Sequence, residues 1–157
     1  MVVFRLAKAK YKNDLSGIGA EKYGGRWNNK GTRMVYTAAS RALTVLELAV
    51  HVAFNILPKN YHIVEIEIPE NSILEFDVSL LKNKDWKSHP PIEFTQSEGD
   101  TFILENAFLG LKVPSAIVAG DFNYLLNPLH PDFDKVKITE TAPFAFDERL
   151  FQEFGTH

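Results

Sequence analysis

The sequence predicts an α+β domain. Its strand-like segments are interrupted by few helices and do not alternate with them as a βαβ series would. The clearest strand is Tyr61 to Ile68, where Val64, Ile66 and Ile68 fall on one face and Glu65 and Glu67 on the other. The clearest helix is Arg41 to Phe54, apolar almost all round, which reads as a buried helix.

The elements follow in order. Val2 to Leu6 reads as a first strand and Lys8 to Lys12 as a polar loop. Gly17 to Gly31 is glycine-rich but interrupted by Tyr23 and Trp27, so it reads as an ordered loop, not a linker. Arg33 to Thr37 is a second strand. Ser40 is placed to cap the helix from Arg41, and Pro58 lies beyond its end. After the strand at 61–68, Ile73 to Phe76 is a short strand. Asp100 reads as the N-cap of a helix through Leu109, closed by Gly110. Val113 to Val118 is a strand whose Pro114 suggests a sheet edge or a strand start. Asn123 to Pro131 reads as a turn-rich connection, Val136 to Thr139 as a final strand, and Phe146 to Phe154 as a closing turn or helix.

With 157 residues and no internal repeat, a single domain over 1–157 is expected. The absence of cysteine excludes disulfides and thiolate metal sites. A net charge of −3 argues against direct nucleic-acid binding, which needs a basic face. No apolar run approaches the roughly 20 residues of a membrane span. Val2, Val3 and Phe4 before Arg5 are too short for a signal-peptide core. The expected location is the cytoplasm, with no membrane partner.

Chemistry-bearing residues concentrate between Gly24 and Glu47. A carboxylate amid apolar neighbours needs a reason, since ionised carboxylates are rarely buried without a partner. Glu47 lies either on a solvated stripe with His51, at i and i+4, or in a cleft. That pair supplies too few ligands for a metal site, and no other histidine has a spacing that completes one, so no metal is expected. Arg26, after Gly24-Gly25, carries a planar fork of donors suited to phosphate. Tyr36, followed by Thr37 and Ser40, is either strand core or a ring for stacking on a heterocycle. Ser115 lacks a Gly-x-Ser-x-Gly context, so a hydrolase elbow is not expected. Neither Gly-x-Gly-x-x-Gly nor a P-loop is present.

Taken together and in order, several blocks resemble the RES domain family. They are Phe4-Arg5-Leu6, Gly24-Gly25-Arg26-Trp27-Asn28, Val35-Tyr36-Thr37-Ala38, Ser40, Glu47, Gly99-Asp100 and Val113-Pro114-Ser115-Ala116. They continue with Asn123-Tyr124-Leu125-Leu126-Asn127-Pro128, His130-Pro131-Asp132-Phe133 and Phe146-Asp147 with Arg149-Leu150. The chain departs from the family pattern at Phe102, usually Trp, and at Ala119-Gly120-Asp121, where Pro and Glu usually precede the Asn.

The resemblance implies an ADP-ribosyltransferase-like fold, with two small sheets and flanking helices around an NAD cleft. It implies a toxin of a type II toxin–antitoxin pair that cleaves the nicotinamide–ribose bond of NAD+, as a glycohydrolase or phosphorylase. NAD+ would be substrate, with no cofactor, and inorganic phosphate an alternative acceptor to water. Glu47, Arg26 and Tyr36 would be catalytic. Arg5, Arg26, Tyr36, Thr37, Ser40, Ser115 and Asn123 would bind NAD+. The implied partner is an antitoxin with a helix-turn-helix DNA-binding domain that covers the active site, and a homodimer is compatible. ADP-ribosylation of a protein, or ligand binding without turnover, remain alternatives.

Overall fold

The computed structural model describes residues 1–52 and 56–152. Its regular elements are β1 (Val2–Lys8), α1 (Ile18–Tyr23), β2 (Val35–Ala38), α2 (Arg41–Ala49), β3 (Tyr61–Glu67), β4 (Ile73–Glu75), α3 (Glu93–Glu105), β5 (Gly110–Pro114), β6 (Phe122–Leu126) and β7 (Lys137–Phe144). The seven strands run in the order β4-β5-β6-β2-β1-β3-β7. Neighbours are antiparallel throughout except β4 and β5, which are parallel.

One junction in this sheet positions the site. β1 pairs with β3 along its whole length, from Val2 opposite Glu67 to Lys8 opposite Tyr61. Against β2 it keeps a single pair, Phe4 opposite Ala38. The two small sheets expected are instead one continuous seven-stranded sheet, because that pair joins β4-β5-β6-β2 to β1-β3-β7. Arg5 and Leu6 on one strand and Tyr36 and Thr37 on the other face the cleft where the ladder stops.

Alternation along the strands builds two cores. On β6, Tyr124 and Leu126 join Val3, Val35, Val64, Ile66 and Val136 on one side. Leu125 joins Trp27, Met34, Phe76, Phe102, Leu111 and Val113 on the other. On α3, Thr95, Gly99 and Phe102 are the buried residues, and their spacing of four and three puts them on one helical stripe. Burying the Phe102 ring contributes about 2–3 kcal/mol.

Several elements differ from the sequence reading. The glycine-rich stretch contains the short helix α1. α2 ends at Ala49, with Val50 as its C-cap. It is not buried all round: only Leu43 and Thr44 are fully buried, and Leu46 and Val50 are exposed. The expected stretch at 53–55 lies outside the described residues. α3 starts at Glu93, so Asp100 is an interior position, and the helix closes at Asn106 in the left-handed region (φ 53°). Gly110 instead opens β5, which ends at Pro114. Proline is tolerated there because the ladder needs no further donor from β5. The segment read as turns from Asn123 begins within the strand β6, which runs to Leu126 between β5 and β2. β7 runs on to Phe144, and Glu148–Phe151 forms a single 3-10 turn, with 153–157 outside the described residues.

Among the described residues no helix is long and apolar enough to cross a membrane.

Candidate active site

A cavity of about 740 Å³ opens at the split between β1 and β2. That falls within the range of small-molecule and cofactor sites. Its walls carry Arg5, Arg26, Tyr36, Thr37, Glu47 and Asn123 from the sequence prediction.

Glu47 reaches it from α2. Ser40 fixes the start of that helix by accepting the Leu43 N–H at 3.1 Å, a cap worth about 1 kcal/mol. Ser40 acts there and not on the cavity wall. Glu47 is not on a solvated stripe. Its Oε1 accepts two hydrogen bonds, from Ser115 Oγ at 2.8 Å and from Asn123 Nδ2 at 2.8 Å. No hydrogen bond to Oε2 is formed among the described residues, so one oxygen is pinned and the other is left without one, on a side chain that lines the cavity.

The two groups that hold Oε1 are themselves fixed. Ser115 lies behind the wall, 2% exposed. Its Oγ accepts the N–H groups of Ile117 and Val118, each at 3.1 Å, which aims its own hydrogen at Glu47. Asn123 is held on both sides in the sheet, opposite Ala38 on β2 and Val113 on β5. Its Oδ1 is buried and without a partner among the described residues.

Arg26 lies in the loop before β2. Its Nη1 donates to the carbonyls of Trp86 (2.6 Å) and Ser88 (2.9 Å). Among the described residues Nε and Nη2 make no hydrogen bond, so a donor edge stays available. Burial lowers the Arg26 pKa, and the charges of Glu47 and Tyr36 oppose that shift. Arg5 is also drawn down by burial, offset by Asp14, whose carbonyl accepts from its Nη1.

The Tyr36 hydroxyl is a structural pin. It donates to Asn28 Oδ1 at 2.7 Å and accepts the Trp27 N–H at 3.0 Å. Burial above all pushes its pKa up, with the charge of Asp100 adding to it, so it stays protonated at neutral pH. The ring of Tyr36 lines the cleft. Thr37 donates to the Tyr124 carbonyl at 2.7 Å, tying β2 to β6.

The loop that delivers Arg26 is held by residues the sequence reading did not weigh. Asn28 is fully buried, and its Nδ2 donates to the carbonyls of Ala20, Asn29 and Thr32. Asn29 pairs through N–H and Nδ2 with both oxygens of Asp100, at 3.0 and 2.8 Å. Gln96 Nε2 donates to the Gly25 carbonyl at 3.1 Å. Two glycines permit this packing by close approach. A Cβ on Gly25 would lie 2.6 Å from the Tyr36 hydroxyl, and one on Gly99 would lie 1.6 Å from the Trp27 carbonyl oxygen. The Gly24-Gly25-Arg26-Trp27-Asn28 and Gly99-Asp100 blocks were the sequence signal, but their mutual contact is visible only in three dimensions. His51 and His89 also line the cavity. Among the described residues no group of three or more potential metal ligands is assembled.

A family model described as the RES domain matches residues 2–147. The chain is 40% identical over 152 residues to Toxin Res of Photorhabdus laumondii subsp. laumondii, covering 96% of this chain and 97% of that protein. It is 36% identical over 149 residues to the Prs ADP-ribosylating toxin of Sphingobium sp. (strain YBL2), covering 94% and 92%. A chain of the M. tuberculosis MbcT–MbcA toxin–antitoxin complex superposes with a TM-score of 0.68 at 17% identity, covering 92% of this chain and 84% of that one. At that identity the likeness is one of fold. The architecture is thus α+β and ADP-ribosyltransferase-like, with its cleft at the split in the sheet. The chain belongs to the RES domain family and falls among that family's toxins.

Proposed function

We propose that the protein is a toxin that cleaves the nicotinamide–ribose bond of NAD+, with water or phosphate as the acceptor. The observation that carries this reading is the Glu47 carboxylate, which lines the cavity and is pinned through Oε1 by Ser115 and Asn123.

In that reaction the C–N bond breaks and its electron pair leaves with nicotinamide, whose ring becomes neutral. Positive charge grows on the ribose. A fixed carboxylate favours that charge more than the ground state, which is what lowers a barrier. Glu47 Oε2 takes this role and grips a ribose hydroxyl, a bond that tightens as charge develops. Ser115 and Asn123 keep the carboxylate from rotating. Arg26 clamps the pyrophosphate with its Nε/Nη2 edge while Nη1 stays anchored to Trp86 and Ser88. Tyr36 supplies a ring face for the nicotinamide, and Arg5 a second guanidinium for an anionic group. NAD+ is substrate, and no further cofactor is invoked.

The partner we infer is an antitoxin, as the pairing named for the structural neighbour suggests; that it carries a helix-turn-helix domain and covers the cleft is what the family resemblance implies. The expected compartment is the cytoplasm, where NAD+ is consumed. A second reading, transfer of ADP-ribose to a protein, draws on the ADP-ribosylating relative. The test is incubation of NAD+ with the protein at low molar ratio, with and without phosphate, and separation of products by mass. Free ADP-ribose or its phosphorylated form supports cleavage. Adducts found only on added protein support transfer. Stable binding with no product contradicts both.

A further inference from the structure

The mechanism above leaves one wall of the cleft unused, that formed by His51 and His89. His51 follows Glu47 by four residues. Its N–H still donates to the Leu48 carbonyl at 3.0 Å, so the chain continues to wind beyond the end of α2. Positions four apart on such a turn share a side, and both Glu47 and His51 line the same cavity. The His89 ring stands across from His51, with centroids 6.0 Å apart and planes tilted by 57°.

We propose that His51 is the base that activates the acceptor water in the cleft, a role that rests on the NAD+-cleavage reading. As the C–N bond opens, a water lone pair forms the new bond to the ribose carbon. The proton of that water passes to the His51 imidazole and then to solvent, while nicotinamide leaves with the old bonding pair. The sum is NAD+ and water giving nicotinamide, ADP-ribose and a proton.

The surroundings suit this role. Burial lowers the His51 pKa, and His89 and Arg26 act in the same direction, while Glu47 opposes them. Those are the charged or titratable groups that face it, from α2, from the loop before β2 and from the segment after Trp86. A lowered value leaves the ring neutral, and so able to accept a proton, at neutral pH. His51 is exposed to solvent, which lets the proton escape after each turnover. Three other groups of the cleft are engaged, which leaves His89 as the competing base that the test addresses. The Glu47 carboxylate is assigned to the ribose. The Tyr36 hydroxyl is engaged at both ends. The Asp14 carboxylate accepts from the Ser16 N–H and lies beside Arg5.

The test compares water with azide, an anionic nucleophile that has no proton to lose. His51→Gln is expected to slow NAD+ hydrolysis by about 100-fold, the lower end for a general base. Azidolysis should stay within about threefold of the wild type, which also shows that the variant is folded. His89→Gln should keep hydrolysis. In the wild type, hydrolysis should persist through about pH 6.5, the ordinary histidine value, and decline only at lower pH because the His51 pKa is lowered; azidolysis should not follow that decline. Equal loss of both reactions in His51→Gln, or matching pH profiles for water and azide in the wild type, would overturn the base. So would the His51→Gln pattern appearing in His89→Gln instead. A wild type that consumes no NAD+ with either nucleophile overturns the underlying reading, and the base with it.

Discussion

Replacing Tyr36 by Phe separates two roles that share one side chain. The ring lines the cleft, whereas the hydroxyl holds the Arg26 loop by donating to Asn28 and accepting from the Trp27 N–H. Phe keeps the ring and removes both bonds. Asn28 and Trp27 are 0% and 2% exposed, so neither freed group regains water easily. A buried donor or acceptor left without a partner costs about 1–3 kcal/mol. Two such groups, with some relaxation of the Asn28 amide, give about 2–4 kcal/mol. For a domain of this size that lowers Tm by roughly 4–16 °C. Thermal and urea unfolding monitored by circular dichroism measure it directly, and steady-state kinetics on the same sample follow the cleft. The expected result is a clear loss of stability, with the KM for NAD+ raised because Arg26 is less firmly placed. An unchanged Tm would refute the reasoning, because it would mean that the hydroxyl pins nothing.

The remaining predictions concern the same loop and the same carboxylate. Gly99→Ala puts a methyl group 1.6 Å from the Trp27 carbonyl oxygen. It should cost roughly 3 kcal/mol or more, lowering Tm by roughly 6–12 °C; a melt within a degree of wild type would contradict the close approach. Ser115→Ala removes one of the two bonds to Glu47 Oε1 and the acceptor for Ile117 and Val118. It should lower kcat about tenfold, equivalent to about 1.4 kcal/mol of barrier, with little change in KM; an unaltered kcat would remove Ser115 from the positioning of Glu47.

Where pattern and packing agree, the sequence was readable. β3 alternates because one of its faces is buried, and Ser40 marks the start of α2 because an N-cap needs a side-chain acceptor. The first half of α3, before Asp100, was hidden by its polarity. The buried stripe of the helix consists of Thr95, Gly99 and Phe102, so it lacks the apolar period that announces a helix. Asp100 resembled a cap because its carboxylate does accept a backbone N–H, but from Asn29, 71 positions away in sequence. β6 was mistaken for turns because Asn123 and Asn127 favour turns in isolation. Here Asn127 is fully buried, donating to Asn106 Oδ1 and accepting the Leu129 N–H. α2 looked buried on all sides, and the exposure of Leu46 and Val50 could not be foreseen from composition. At the site, Arg26, Tyr36 and Glu47 were legible as a set. The division of labour within it was not. Only the folded chain shows that Ser115 stands behind the wall and that Ser40, legible as the cap of α2, is not on the cavity wall.

The central claim is that Glu47 carries bond cleavage in NAD+. The most direct measurement is the initial rate of nicotinamide release, under multiple turnover, by wild-type protein and by Glu47→Gln. The amide keeps the size of the side chain and removes its charge. The account predicts many nicotinamides released per wild-type molecule and a loss of about 100- to 1,000-fold in the variant, with its Tm close to wild type. Equal rates in the two proteins would contradict it.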